Sequence, residues 1–126
     1  MIGLCASATP AAAHHSFSAE FDADSPIELT GVVTKIEWMN PHTFIYIDVE
    51  NDDGDYENWA LEMGSPNGLM RRGWTRNSLQ VGDEVSVSGS RAKAGGFKGN
   101  VRSVVLSSGQ RLFAGSSQPE VEDSDQ

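Results

Sequence analysis

The chain has 126 residues, of which nine are basic and eighteen acidic, so its formal net charge at pH 7 is −9. This length suits one small domain with a modest core, and the acidity disfavours a nucleic-acid partner, which requires a cationic surface facing the phosphates. The single cysteine, Cys5, precedes the expected domain, so apolar burial must stabilise the fold without a disulfide. No apolar run is long enough to span a bilayer, and we expect no membrane span.

Residues 1–13 are interpreted as a truncated signal peptide or a disordered leader. They end in Ala11-Ala12-Ala13, which places alanine at both positions that a signal peptidase prefers. The segment lacks a basic beginning and is shorter than a usual signal peptide, and a start codon assigned too late would explain both features. Cleavage after Ala13 would make His14 the first residue of a periplasmic or secreted protein.

Alternating apolar and β-branched residues predict three strands that form a meander. The strands span Ile27–Met39, Phe44–Val49 and Glu57–Met63, and Gly31 is expected to mark a bulge or a bend in the first of them. The run Asn51–Asp55 is rich in Asx residues and glycine, and it predicts the turn between the second and third strands.

The second half of the chain predicts one short helix followed by further strands. Ser65 is the expected N-cap, Pro66 occupies the first helical position, and the helix is expected to end at Gly73. Three later strands are expected at Glu84–Arg91, Asn100–Leu106 and Arg111–Phe113. A glycine-rich loop, Lys93–Gly99, is expected between the first two of them.

This order of elements predicts an all-β fold with a small α contribution. We expect an OB-like barrel of five to six strands, with the short helix between strands three and four, and an open sandwich is the alternative. Closure of the barrel would remove exposed sheet edges. The barrel domain is expected over residues 14–115, and the acidic residues 116–126 are expected to form a disordered tail.

The charges are unevenly distributed along the chain. Residues 14–63 carry twelve acidic residues and one basic residue, whereas residues 64–113 carry eight basic and two acidic residues and a local net charge of +6. Attraction between the two halves is the favoured interpretation, in which Arg71, Arg72 and Arg76 pair with the acidic first half. The alternative is that these arginines bind an anionic ligand through charge-assisted hydrogen bonds.

Uncommon motifs are spread over nearly the whole expected domain. They are His14-His15-Ser16-Phe17, the stretch from Leu29-Thr30-Gly31 to Trp38, Asn40-Pro41-His42, Asn58-Trp59, Gly64-Ser65-Pro66-Asn67, Arg71-Arg72-Gly73-Trp74, Gly82-Asp83 and Gly109-Gln110-Arg111-Leu112-Phe113-Ala114-Gly115. In these motifs the chain resembles the DUF6152 family of small exported bacterial proteins. The resemblance implies export and a compact β-rich fold, but it implies no activity, because the family is one of unknown function.

The three histidines predict a metal site, with copper as the favoured ion. An N-terminal His14 offers an amine and an imidazole, and His42 offers a second imidazole, which together could form a three-nitrogen site suited to Cu(II). His15 is the alternate ligand: if cleavage left Ala13 in place, it would be the third residue of a square-planar site. His42 taken alone is more often a turn residue bonded to the backbone. Further ligands that the sequence does not place are Glu37, Met39, Glu62 and Met63.

A second hypothesis is a small-ligand or protein-docking barrel that uses no metal. Its surface would consist of Trp38, Asn40, Trp59, Arg72 and Trp74, because OB-like barrels often bind ligands on the face of the sheet. The tryptophans could instead be packing residues in a domain short of apolar volume. No P-loop, dinucleotide fingerprint or nucleophile elbow occurs, so binding is favoured over catalysis, and an enzyme of unrecognised type is the third alternative.

Overall fold

A computed structural model describes residues 19–115 as one six-stranded sheet with one short helix. The strands are β1 (Phe21–Glu37), β2 (Phe44–Glu50), β3 (Tyr56–Glu62), β4 (Glu84–Ala92), β5 (Lys98–Val105) and β6 (Arg111–Phe113), and the helix α1 (Pro66–Arg71) lies between β3 and β4. The expected leader, His14, His15 and the expected tail lie outside the described residues.

The strands form a closed ring. Their order in the sheet is β3-β2-β1-β4-β5-β6, and an additional pairing joins β3 to β5, so that β1, β2, β3, β5 and β4 are hydrogen-bonded in a circle. The pairing between β3 and β5 is parallel and the other pairings are antiparallel. The structure therefore confirms the predicted all-β, barrel-like fold of OB-like strand order, with one short helix after β3.

The first strand is longer than the sequence predicted. It begins at Phe21 rather than Ile27, and its pairing with β4 shifts register between Asp22 and Pro26. Aspartate, serine and proline in this stretch hide the strand pattern, and the proline is tolerated because it lies at the irregularity. A second shift, in the pairing with β2, falls between Val33 and Lys35 rather than at Gly31.

The core lies inside the ring and follows the period of two that strands impose on their side chains. On β2, for example, Ile45 and Ile47 are fully buried, whereas Phe44 and Tyr46 lie on the outer face and are half-buried. The segment after β3 also contributes to the core cluster, through Leu69, Trp74 and Leu79.

Two local signals in the sequence are confirmed. The Ser65 hydroxyl accepts a hydrogen bond from the backbone N–H of Gly68 at 3.1 Å, as expected of a helix N-cap. In the turn between β2 and β3, Asn51 Oδ1 accepts hydrogen bonds from the N–H groups of Asp53 and Asp55, at 2.9 and 3.0 Å. Because these hydrogen bonds form between residues close in sequence, the residue types alone were enough to predict the turn and the helix start.

Two strand glycines permit neighbouring backbones to approach closely. A Cβ atom on Gly31 would collide with the carbonyl oxygen of Asp48, and a Cβ atom on Gly89 would collide with that of Asn100. Neither carbonyl can move without breaking the ladder between its strands, so no side chain fits at either position.

We predict that Gly89→Ala destabilises the fold by about 2–3 kcal/mol or more, because overpacking against backbone cannot be relieved by a change of rotamer. Urea unfolding followed by tryptophan fluorescence measures the change as a lower midpoint. Ser90→Ala on the same strand is the matched control, and its midpoint should stay close to that of the original protein. Equal stability of the two variants would contradict the close approach at Gly89.

Candidate functional site

His42 and Glu62 form a side-chain pair at one edge of the ring. The imidazole Nε2 of His42 lies 3.6 Å from Oε2 of Glu62. The other ring nitrogen, Nδ1, is buried and has no hydrogen-bond partner. This imidazole therefore has a carboxylate near one nitrogen, beyond hydrogen-bond distance, and has no partner for the other nitrogen.

The backbone between β1 and β2 fixes the position of His42. The residue follows the cis peptide bond between Asn40 and Pro41 and directly precedes Thr43. The N–H of Thr43 donates to the carbonyl of Gly64 at 3.0 Å, and the N–H of Met63 donates to the carbonyl of Thr43 at 2.8 Å. These bonds extend the ladder between β2 and β3, and they hold His42 beside the end of the strand that carries Glu62.

Glu62 lies in an environment that disfavours its charge. Partial burial raises the pKa of the Glu62 carboxyl above its usual range, and the neighbouring His42 opposes that shift. Glu20 raises the pKa further by repulsion, whereas the Asn100 amide and the Lys98 ammonium lower it. The Asn100 side chain is buried and its Nδ2 has no partner in hydrogen-bonding geometry, so it favours the carboxylate only by proximity.

The chain enters the described fold beside this pair. The carbonyl of Glu20 accepts a hydrogen bond from the N–H of Lys93 at 2.8 Å, and its carboxylate lies 3.8 Å from Lys98 Nζ. Lys98 and Asn100 are on β5, in register with Ala60 and Glu62 of β3. The segment that carries His14 and His15 therefore connects to the fold near Glu62.

The remaining candidate ligands have other surroundings. Glu37 accepts a hydrogen bond from the Tyr46 hydroxyl at 2.9 Å and forms an ion pair with Lys35 at 3.1 Å. Met63 is fully buried in the core, and Met39 is exposed. Within residues 19–115, no group of three or more histidine, cysteine, aspartate or glutamate side chains is arranged to hold a metal ion.

Of the five residues of the second hypothesis, Trp59 and Trp74 belong to the same core cluster, and Trp38 packs against that cluster. Trp38 and Trp74 contact each other edge to face, with ring centroids 6.4 Å apart, and Trp74 Nε1 donates to the carbonyl of Phe113 at 2.8 Å. Arg72 donates to the carbonyl of Gly115 at 3.2 Å in the same region, and Asn40 is exposed in the connection before β2. Trp59 is on β3, where it packs in the core.

Trp59 has neighbours that the sequence did not single out. Its ring centroid lies 5.5 Å from that of Phe97 and 5.2 Å from the guanidinium carbon of Arg91. Trp59 is only 4% exposed, and its indole Nε1 is buried without an acceptor. Phe97 follows Gly95 and Gly96, whose φ angles of 84° and 74° favour glycine. The glycine-rich loop was therefore the sequence feature that could have pointed to Phe97 as a neighbour of Trp59.

Within residues 19–115, one ion pair joins the basic half to the acidic half, and it involves Lys98 rather than the predicted Arg71 or Arg76. The ion pairs there join Lys35 to Glu37, His42 to Glu62 and Lys98 to Glu20. Arg71 and Arg76 are exposed and have no acidic partner in that part of the chain.

No helix among residues 19–115 has the length and apolar character needed to cross a bilayer.

Comparisons with known proteins bear on the family alone. No curated protein and no solved structure matches the chain. A family model matches residues 3–101, a range that includes β1 to β4, α1 and the His42–Glu62 pair. The chain thus belongs to DUF6152, a family of unknown function.

Proposed function

We propose that this protein is an exported, periplasmic or secreted module that binds Cu(II) at the edge of the ring where His42 meets Glu62. In this proposal His14 supplies an amine and an imidazole, His42 supplies a second imidazole, and His15 is the alternate ligand. The observation that carries the proposal is the buried Nδ1 of His42, which has no partner although Nε2 faces a carboxylate.

A carboxylate beside a histidine is a common arrangement around metal ions. It accepts the proton of one ring nitrogen, fixes the orientation of the ring and leaves the lone pair of the other nitrogen available to the metal. Here Glu62 faces Nε2 at 3.6 Å, and in this proposal a proton on Nε2 leaves the lone pair of Nδ1 for the metal. A cation bound at Nδ1 would also offset the cost of the partly buried negative charge on Glu62.

The position of Glu20 supports the participation of the N-terminal histidines. Glu20 lies close enough to raise the pKa of Glu62, and His14 precedes it by six residues. Six residues of extended chain span at most about 20 Å, and this proposal requires His42 to lie within that distance of Glu20. A site of amine and imidazole nitrogens favours Cu(II) over the other divalent first-row ions.

We predict that protein exported with its native leader begins at His14, and that its Cu(II) affinity depends on the pair. His42→Ala should weaken Cu(II) binding by at least about tenfold, and Glu62→Gln by about 10- to 100-fold, the range found for carboxylate partners of metal ligands. N-terminal sequencing identifies the cleavage site. Competition titration gives the affinity, and electron paramagnetic resonance reports the loss of a nitrogen ligand.

Asn40→Ala is the matched control, because Asn40 is exposed in the same connection and is expected to leave the affinity unchanged. A dissociation constant in the micromolar range or weaker that His42→Ala does not alter would contradict the proposal. A leader that stays attached would contradict the participation of an amine at His14.

A second candidate function is the binding of a small ligand at Trp59 without a metal. The specific observation in its favour is the indole N–H of Trp59, which is buried and has no hydrogen-bond acceptor. The ring of Phe97 packs against the same indole. Arg91 adds a guanidinium over the same ring, and its Nε and Nη2 both donate to the carbonyl of Gly96. A planar anion would supply an acceptor to the indole and a counter-charge to Arg91.

The probe for this second function is 1-anilinonaphthalene-8-sulfonate, an anionic aromatic dye. We predict that Trp59→Phe and Arg91→Gln each weaken its binding by roughly tenfold, the effect of losing one hydrogen bond or ion pair to a charged group. Fluorescence titration measures the affinity. Trp38→Phe is the matched control and should bind as the original protein does. Equal dye affinity in all four proteins would exclude Trp59 as the site.

A further inference from the structure

The chain leaves the described fold through a surface rich in arginine. The guanidinium of Arg72 donates to the carbonyl of Gly115 at 3.2 Å, and the backbone N–H of Ala114 donates to the carbonyl of Arg102 at 2.8 Å. Trp74 binds the carbonyl of Phe113 through its indole, which ties the segment after α1 to the same exit. We call four arginines on the segments bonded to this exit the arginine face: Arg72 and Arg102, which bond to it directly, and Arg71 and Arg76, which flank the bonded residues Arg72 and Trp74 in the sequence.

The arginine face is incompletely neutralised by the described part of the chain. Arg71, Arg76 and Arg102 are exposed, and no carboxylate among residues 19–115 forms an ion pair with them. The acidic residues of the first half pair elsewhere or are solvated at the surface. Exposed positive charge on segments bonded to the chain exit favours an anionic occupant.

The residues that follow the exit have the complementary charge. Residues 116–126 contain four acidic and no basic side chains, and the first of the acids, Glu120, comes five residues after Gly115. Five residues span at most about 17 Å, so the acids can reach the arginine face without crossing the molecule. A tether of this length also gives the acids a local concentration of roughly millimolar at the face.

We propose that the acidic segment 116–126 docks on the arginine face of its own chain. Its carboxylates bind the guanidinium groups by charge-assisted hydrogen bonds, which are bidentate where both oxygens face the planar fork. Exposed ion pairs are individually weak, so the docking depends on several of them and on low ionic strength. Any other acidic segment that binds this face has to displace the tail. This proposal is independent of the metal site.

Paramagnetic relaxation in solution tests the docking on the full-length chain. A nitroxide is attached at Ser124→Cys in a Cys5→Ser background, and backbone amide signals are recorded with the label oxidised and reduced. We expect attenuation of the signals of residues 71–76 at about 0.01 M salt, where the Debye length is roughly 30 Å. The attenuation should disappear at about 1 M salt, where the Debye length is roughly 3 Å.

Two sets of substitutions separate charge pairing from simple proximity. Arg76→Gln should reduce the docked population by roughly 1.5- to 5-fold, the range for one exposed ion pair, whereas Lys93→Gln on the loop between β4 and β5 should leave it unchanged. Neutralisation of the whole tail should abolish the attenuation at residues 71–76. The substitutions for that variant are Glu120→Gln, Glu122→Gln, Asp123→Asn and Asp125→Asn.

The proposal is overturned if the neutral tail attenuates residues 71–76 as strongly as the acidic tail does, because the contact would then reflect the tether alone. It is also overturned if the acidic tail attenuates signals elsewhere on the fold and not these. Spectra of the reduced samples confirm that each variant is folded, so a missing effect cannot be ascribed to unfolding.

Discussion

The parallel pairing of β3 with β5 is the contact on which the rest of the structure depends. It joins Ala60, Leu61 and Glu62 to Lys98, Gly99 and Asn100, and it closes the ring that the antiparallel pairings leave open. Gly99 makes this approach possible: a Cβ atom there would lie 2.6 Å from Cδ1 of Ile27 and 2.8 Å from the carbonyl of Ser90. Because non-local pairing must overcome loop-closure entropy, it forms only when the whole ring buries its core.

Both candidate sites lie on this closure. The pairing sets Glu62 beside Asn100 and brings Lys98 and Glu20 to the same edge, while the N–H of Ala60 donates to the carbonyl of Phe97 and so draws the loop over Trp59. Four buried polar atoms among residues 19–115 have no hydrogen-bond partner, and all belong to residues on or beside β2, β3 and β5: His42 Nδ1, Thr43 Oγ1, Trp59 Nε1 and Asn100 Nδ2. Each such atom costs about 1–3 kcal/mol while it stays unpaired, and each of the two proposed binding sites contains at least one of them.

The fold was predictable from the sequence because its signals are local. Alternation of apolar residues located β2 and β3 to within a residue or so, and the Ser65-Pro66 pair located α1. The beginning of β1 was missed, because Asp22 and Pro26 mask a strand whose pairing is decided by distant β4. The order of the strands could be predicted from the position of the helix. The register of β1 could not be predicted, because its shifts depend on pairing with β2 and β4, which no local pattern specifies.

The sites were less predictable, because they depend on which residues the closure brings together. The sequence singled out His42 and named Glu62 without placing it, and only the ladder between β2 and β3 puts the two side by side. Trp59 was assigned to a surface with Trp74, but both side chains are buried in the core cluster. The neighbours of Trp59, Arg91 and Phe97, come from segments far along the chain. A contact between distant segments has no sequence signature of its own.

The proposed metal site and the proposed docking of the tail depend on one property of this small fold. The closed ring holds half of each complementary set, with His42 and Glu62 at the edge where the chain enters and the arginine face where it leaves. The other half of each set, the two N-terminal histidines and the four C-terminal acids, lies on segments joined to those same places. Tethering raises the local concentration of each group without requiring a larger core, which a domain of this size could not supply. Binding in both proposals therefore depends on what the chain ends carry, and the ring decides where it takes place.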